Sequence, residues 1–271
     1  MASHALPLRR ISDRSGFKYL EHCRLGVHDG AVVAESDETV AVIPVGALAA
    51  LMLGEGSSVS QAAVIAATRA GCCLFWATHG GLRCVAFGLP VLHATNELAT
   101  RQAQAWTQRR LEVAVRLFER RFGEAPKVRS VAELLGIEGS AAKERYRVAA
   151  GEKGLQWYGR VNNAGSGVDG PNRAVSLVSS VVNCLVCAVV VQMGLIPSLG
   201  FLHNGQPLAF VYDLADLYRF EITVPVGFEL AARGFADSAW RESYHEIGHR
   251  LDASSFLQRV SEDVQWLVGD L

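Results

Sequence analysis

Residues 174–196 carry no charged side chain, and a run of that length limits what the chain can fold into. About twenty apolar residues in a row either cross a bilayer or form a helix buried on all sides. Five polar residues interrupt this run (Ser176, Ser179, Ser180, Asn183 and Gln192), and neither a basic cluster nor an aromatic belt flanks it. The expectation is a central buried helix and no membrane partner. Half of the 271 residues are hydrophobic, enough to bury one large core or two modest ones around such a helix.

Before residue 89 the punctuation is that of a sheet. Residues 17–27, 31–34 and 39–43 are short β-rich runs, separated by His28-Asp29-Gly30 and Glu35-Ser36-Asp37. Residues 47–53 are a further candidate strand, 57–69 have a helical period, and 72–76 and 82–87 read as strands around Gly80-Gly81. From residue 96 the period becomes helical, and 96–122 predict one long amphipathic helix with arginines on its polar side. Ser130-Val131-Ala132-Glu133 is a capping-box pattern that opens a helix through Leu135, and a second helix is expected from Ser140 to Ala150. Residues 162–172 predict a loop, and 212–233 and 238–268 two further helices. The fold class expected is α+β: a small β-rich N-terminal domain (1–88), a linker (89–95) and a larger all-helical domain (96–271).

A net charge of −1 gives no overall pull toward nucleic acid or membrane, but the charge is unevenly spread. Residues 101–160 hold thirteen Lys and Arg against seven Asp and Glu, whereas 221–271 hold nine acids against four arginines. That polarity permits a basic face for phosphates; solvated helices laced by i,i+4 ion pairs would read the same way. Cys72 and Cys73 are adjacent, and Cys184-Leu185-Val186-Cys187 lies inside the uncharged run with no second pair. Core packing is expected of these thiols rather than zinc or redox work. Arg9 and Arg10 precede no hydrophobic run, so the expected location is a reducing cytoplasm.

The stretch richest in chemistry is GFLHNGQPLAFVYDLADLYRF, residues 200–220. His203 precedes two acids, Asp213 and Asp216, spaced i and i+3; on a helix their Cβ atoms are about 5–6 Å apart on one face. Their neighbours are mostly apolar, and carboxylates at a packed surface are costly unless paired, a cation being the economical partner. An imidazole with such acids suits Mg²⁺ or Mn²⁺. Blander readings stay open: His203 as a turn residue, and Asp213 as a favourable acid in a first helical turn. Glu138, in Gly136-Ile137-Glu138-Gly139-Ser140, is either a third ligand presented by a tight backbone or part of an ordinary interhelical turn.

A rival motif is His245-Glu246-Ile247-Gly248-His249, an HExxH match of the zinc-peptidase kind. The metzincin extension requires a glycine and a third histidine where this chain has Asp252 and Ser255. Glu262 is the sole downstream glutamate, and it continues the expected terminal helix. Two histidines meeting on a helix surface by chance account better for the match. Trp106, Trp157 and Tyr158 stand near basic residues and could stack on bases, though packing is their commoner use.

Fragments along nearly the whole chain resemble CRISPR-associated protein one, the spacer integrase, most closely its type I-E form. They run in order: Leu6-Pro7-Leu8, Tyr19-Leu20-Glu21-His22, His28-Asp29-Gly30-Ala31-Val32, Ile43-Pro44-Val45-Gly46, Leu53-Gly54-Glu55-Gly56, Gly81-Leu82-Arg83, Arg121-Phe122-Gly123-Glu124 and Gly136-Ile137-Glu138-Gly139, then 200–220. The resemblance implies a β-sandwich-like N-terminal domain followed by a helical catalytic domain, in a prokaryotic cytoplasmic protein. It also implies metal-dependent endonuclease and integrase activity, in which the 3′-hydroxyl of a short DNA fragment attacks a phosphodiester of the CRISPR repeat.

By the same resemblance Glu138, His203 and Asp216 correspond to ligands of Mg²⁺ or Mn²⁺, with Asp213 a neighbouring active-site acid. Arg83, Arg109, Arg110 and Arg219 would neutralise phosphates of double-stranded DNA. The family works as homodimers bridged by the small CRISPR-associated protein two. His22 stands where a type I-E member has a DNA-stacking tyrosine. Many relatives use an extended tail beyond the point corresponding to Leu271 to contact the partner, and the sequence leaves open how the partner docks here. The alternatives kept are a zinc peptidase built on His245, Glu246 and His249, and a non-catalytic DNA-binding scaffold subunit.

Overall fold

The structure, a computed structural model, describes residues 10–78, 83–89, 97–161, 168–234, 240–253 and 255–269; of Arg83, Trp240, Arg241 and Ala253 it describes the backbone alone. Most of the expected linker lies outside the described residues. Eight strands come first: β1 (Ser15–Leu20), β2 (Arg24–His28), β3 (Ala31–Glu35), β4 (Val40–Val42), β5 (Leu48–Leu53), β6 (Ser58–Val59), β7 (Cys73–Thr78) and β8 (Arg83–Gly88), with helix α1 (Gln61–Arg69) before β7. Described residues from 97 onward contain helices and no strand: α2 (Glu97–Gln108), α3 (Arg110–Phe122), α4 (Val131–Glu152), α5 (Gly170–Gln192), α6 (Ala209–Ala215), α7 (Val224–Ala232), α8 (Trp240–Ala253) and α9 (Phe256–Val264). The mixed α+β class is as expected.

The strands form two four-stranded sheets, ordered β1-β5-β7-β8 and β4-β3-β2-β6. The run 17–27, expected as one strand, is two, interrupted where His22 takes a positive φ of 48°. β2 and β3 form a hairpin whose two turn residues, Asp29 and Gly30, both have positive φ (49° and 78°), as two-residue turns matching the strand twist require. Side chains alternate along β5 and sort to two cores. Leu51 and Leu53 pack with Leu25, Val32, Ala63 and Ala67, from the second sheet and α1. Ala50 and Met52 face the other way, into the cluster built on α5. The first sheet thus lies between the second sheet and the helices.

α5 is the uncharged run extended by its cap. Asp169 accepts from the N–H of Asn172, and Pro171 sits in the first turn. The helix is long and apolar enough to cross a membrane, but 78% of its most apolar window is buried within the fold. Gly227 of α7 meets it at close range: a Cβ there would lie 2.8 Å from Cα of Val175. All six cysteines are free thiols, and burial pushes Cys72 and Cys187 up to about 12, which suits packing.

Four further expectations need correction. Residues 96–122 form two helices, breaking at Arg109, rather than one. Glu138 does not sit in a turn: α4 is one 22-residue helix running through Gly136 and Gly139. Each helical glycine costs about 1 kcal/mol against alanine, which is why the sequence suggested a break, yet Leu134, Tyr146 and Ala150 anchor the helix on both sides. Residues 212–233 are α6, a 3₁₀ turn (Asp216–Tyr218), a π turn (Arg219–Thr223) and α7. The last expected helix divides into α8 and α9 at Ser255, whose φ is +52°.

Candidate active site

The loop between α5 and α6 is gripped from one side by three side chains spaced four residues apart across the α2–α3 break. Buried Gln102 donates to the carbonyls of Ile196 (3.1 Å) and Leu199 (3.0 Å) and accepts from the N–H of Ile196 (2.8 Å). Trp106 Nε1 donates to the Gly200 carbonyl and Arg110 Nε to the Phe201 carbonyl, each at 2.9 Å. Gly200 is required by close approach: a Cβ there would lie 2.7 Å from the backbone of both Ala209 and His203.

Three successive N–H groups of this loop converge on one carboxylate. Asp213 of α6, 1% exposed, accepts from Phe201 (2.5 Å) and Leu202 (3.0 Å) at Oδ2 and from His203 (2.9 Å) at Oδ1. Its Oδ1 also lies 2.7 Å from His203 Nδ1. A carboxylate beside three N–H donors acts as acceptor, so Nδ1 carries the proton and Nε2 is left as the basic nitrogen. Asp213 therefore fixes the orientation of the His203 ring, an arrangement that suits a histidine to metal binding.

Asp216 starts the 3₁₀ turn and faces α3 and α4. Its Oδ1 receives Nε (2.8 Å) and Nη2 of Arg219, and its Oδ2 lies 3.3 Å from Nη1 of Arg121. The same Arg121 Nη1 bonds Glu138 of α4. Arg219 reaches Tyr146 of α4 at 3.4 Å. The π turn that carries Arg219 is the kind of irregularity that recurs at functional sites. Glu138 and buried Asp216 are thus matched by two guanidiniums, while buried Asp213 pairs with His203.

These charges act on His203 and Asp216 in opposite directions. The hydrogen bond His203 donates to Asp213 raises the histidine above its ordinary value, against the opposing effect of burial, with the charges of Asp213, Asp216 and Glu138 adding to it. Burial pushes the Asp216 carboxyl up, but Arg219 and Arg121 outweigh burial and hold it below the usual range.

An imidazole nitrogen and two carboxylates are the donors Mg²⁺ or Mn²⁺ takes, and both carboxylates already converge on a single cationic nitrogen. The residues fit such an ion. As the side chains lie, a guanidinium gathers the carboxylates, and among the described residues no three His, Cys, Asp or Glu side chains form a metal cluster.

The arginines expected to meet DNA have varied placements. Arg109 pairs with Glu112 on the surface (2.9 and 2.5 Å), Arg110 holds the Phe201 carbonyl, and Arg219 is taken up by Asp216. The Arg83 side chain lies outside the described residues. On the same stretch Arg116 donates to the Trp266 carbonyl and Arg120 pairs with Asp263. Much of the basic stripe therefore binds the protein itself. Arg121 escaped notice in the sequence, since nothing in its spacing separates it from Arg116 or Arg120.

The HExxH segment lies on α8. His245 and His249 line a cavity of about 370 Å³ with Lys18, Tyr19, Tyr244 and Asp252. Glu246, the base that peptidase chemistry would need, is bound by Arg233 (2.9 Å) and Arg250 (3.1 Å), and Asp252 accepts from the Gly16 N–H at 2.8 Å.

Residues 108–239 match the family model described as CRISPR associated protein Cas1. The chain is 36% identical over 272 residues to the CRISPR-associated endonuclease Cas1 1 of Rhodospirillum rubrum, covering 96% of this chain and 87% of that one. To the CRISPR-associated endonuclease Cas1 of Escherichia coli K12 it is 37% identical over 268 residues, covering 96% and 88%. Among solved structures, the crystal structure of a TtCas1–DNA complex superposes with a TM-score of 0.80 at 30% identity, covering 94% of this chain and 91% of that one.

Proposed function

The chain belongs to the Cas1 family of CRISPR-associated endonucleases, and from that we propose that it is a type I-E spacer integrase using Mg²⁺ or Mn²⁺ held by Glu138, His203 and Asp216. The observation that carries the site is the Asp213–His203 bond, which leaves Nε2 of an oriented imidazole as its basic nitrogen, on a ring that feels the charges of Asp216 and Glu138, two carboxylates that already share a cation. The two sheets, sharing a core, are read as the β-sandwich-like domain of residues 1–88, joined through 89–95 to the catalytic helical domain of 96–271.

The reaction exchanges one phosphodiester for another. The 3′-hydroxyl oxygen of the incoming fragment bonds to phosphorus in the repeat, the phosphorus–oxygen bond to the repeat strand breaks, and the proton passes to the departing oxygen. Bond types are conserved, so no energy-rich cofactor is required. A bound ion would polarise the phosphoryl oxygen and stabilise the charge developing in the transition state. Asp213 keeps the His203 ring in one tautomer and orientation, and the Gln102–Trp106–Arg110 ladder keeps the loop beneath it from shifting. Water attacking in place of the hydroxyl gives the endonuclease reaction at the same centre.

The partners proposed are the double-stranded fragment and the repeat, contacted by a homodimer that assembles with the small CRISPR-associated protein two; the similar TtCas1 has been captured with DNA. Phosphate contacts make binding salt-sensitive. The test is joining of a forked fragment to a repeat-containing target with and without Mn²⁺. The expected result is product with the ion, and none from His203→Ala or Asp216→Ala. Undiminished joining by those variants would overturn the reading.

A further inference from the structure

Arg121 is a buried cation inside the proposed ion site, and its bonding is incomplete. Its side chain is 5% exposed, and one nitrogen, Nη1, serves both Glu138 and Asp216. Its Nε is buried with no hydrogen-bond partner among the described residues. The guanidinium is otherwise supported by ring faces, its carbon 4.9 Å from the centroid of Phe122 and 5.2 Å from that of Phe220. A buried guanidinium normally uses its whole fork, so this one is bound strongly at one end and weakly at the other.

The charge balance bears on what an ion would meet. Glu138 and Asp216 bring two negative charges, and Arg121 and Arg219 two positive ones. Buried Asp213, on the proposed ligand His203, adds a third negative charge, so a divalent ion entering beside both guanidiniums would leave an excess of one positive charge, which withdrawal of one guanidinium removes. One cation must withdraw. Arg219 binds Asp216 alone, through two nitrogens, and continues to Tyr146. Among the described residues Arg121 alone bridges the two carboxylates that the ion would have to share.

We infer that Arg121 is the resident counter-cation of this site, competing with the divalent ion for Glu138 and Asp216 and swinging away when the ion binds. It offsets the carboxylates of the metal-free centre and sets a threshold for loading. The freed guanidinium, on the floor of the site, is then available to a phosphate of the substrate. Arg145 is a useful contrast. It stacks on the same two rings, at 4.9 and 5.5 Å, and donates to the Arg121 carbonyl, yet is not bonded to either carboxylate.

This role rests on the ion site proposed above, and Mn²⁺ binding to the DNA-free protein separates the two. Free Mn²⁺ is measured by its EPR signal in titrations of wild type, Arg121→Met, Arg121→Gln and Arg145→Met, and the Mn²⁺-induced rise in Tm is recorded for each. An opposite charge at this range commonly shifts a charged equilibrium by about tenfold or more. Arg121→Met is expected to bind Mn²⁺ at least about tenfold more tightly than wild type, to melt lower without metal, and to gain more in Tm from it. Arg121→Gln, which keeps a donor without the charge, moves the same way and serves if the methionine variant does not fold. Arg145→Met leaves the affinity as in wild type. Wild type binding Mn²⁺ with Arg121→Met and Arg121→Gln binding no more tightly would overturn the role of Arg121 alone. Equal tightening by Arg145→Met would overturn it as well, reducing the effect to net charge. If no variant binds Mn²⁺, the ion site itself falls and this role with it.

Discussion

Asp213 holds His203 twice through one oxygen: Oδ1 accepts the histidine's backbone N–H at 2.9 Å and lies 2.7 Å from its Nδ1. Main chain and ring are therefore fixed by a single buried carboxylate, whose other oxygen takes two more N–H groups of the same loop.

Replacing Asp213 by Asn turns an all-acceptor group into one that brings donors against other donors. The expected cost is about 1–3 kcal/mol of stability by denaturant melt, from unmet buried N–H groups. Because the histidine loses its orientation, Mn²⁺ affinity should fall about 10–100-fold. His203→Ala should lose the activity with a smaller stability cost. Equal affinity in Asp213→Asn and wild type would remove Asp213 from the site's function.

Acid should unload the ion. The Asp213 hydrogen bond raises His203 above the ordinary value of about 6.5, with burial opposing and nearby carboxylates reinforcing. A raised value means that the protonated ring favours the folded state. That contribution is full below the unfolded value and is lost as pH rises through the folded one. The ion needs Nε2 deprotonated, so Mn²⁺ affinity should decline as pH falls through the raised value. An NMR titration of metal-free protein should place the His203 midpoint above 6.5, and Asp213→Asn should lower it. A midpoint at or below the ordinary value would count against the pairing.

Gly200→Ala forces a methyl to within 2.7 Å of two backbone atoms, neither of which can rotate away. Overpacking of this kind costs about 1–3 kcal/mol, and here the displaced element carries His203. Strand joining should drop by more than DNA binding does. A variant that joins DNA as wild type does would show that the loop tolerates displacement.

The histidines of α8 should be dispensable for DNA chemistry. Glu246 is bound by two arginines, and His249→Ala should leave joining intact while the purified protein carries no stoichiometric zinc. Zinc at one equivalent, lost in that variant, would revive the peptidase reading.

Elements governed by local chemistry were the legible ones. The uncharged run became α5, Asp29-Gly30 became a hairpin turn, and 200–220 holds three of the four proposed site residues. What stayed hidden depends on contacts between distant residues. Gly136 and Gly139 argued locally for a break, and packing of Leu134 and Tyr146 carried the helix through them. Trp106 read as a stacking or packing residue and Arg110 as a DNA contact, because the loop carbonyls that they and Gln102 bind are more than 90 residues away. Arg121 meets Asp216 across 95 residues, a distance at which spacing carries no signal.

The most direct measurement is pulsed EPR on the protein loaded with Mn²⁺ and a DNA fragment, read for the nitrogen coupling of a directly bound imidazole. The coupling should be present in wild type and in His249→Ala, and absent in His203→Ala. A coupling that survives His203→Ala and vanishes in His249→Ala would contradict the assignment of Glu138, His203 and Asp216 as the metal centre.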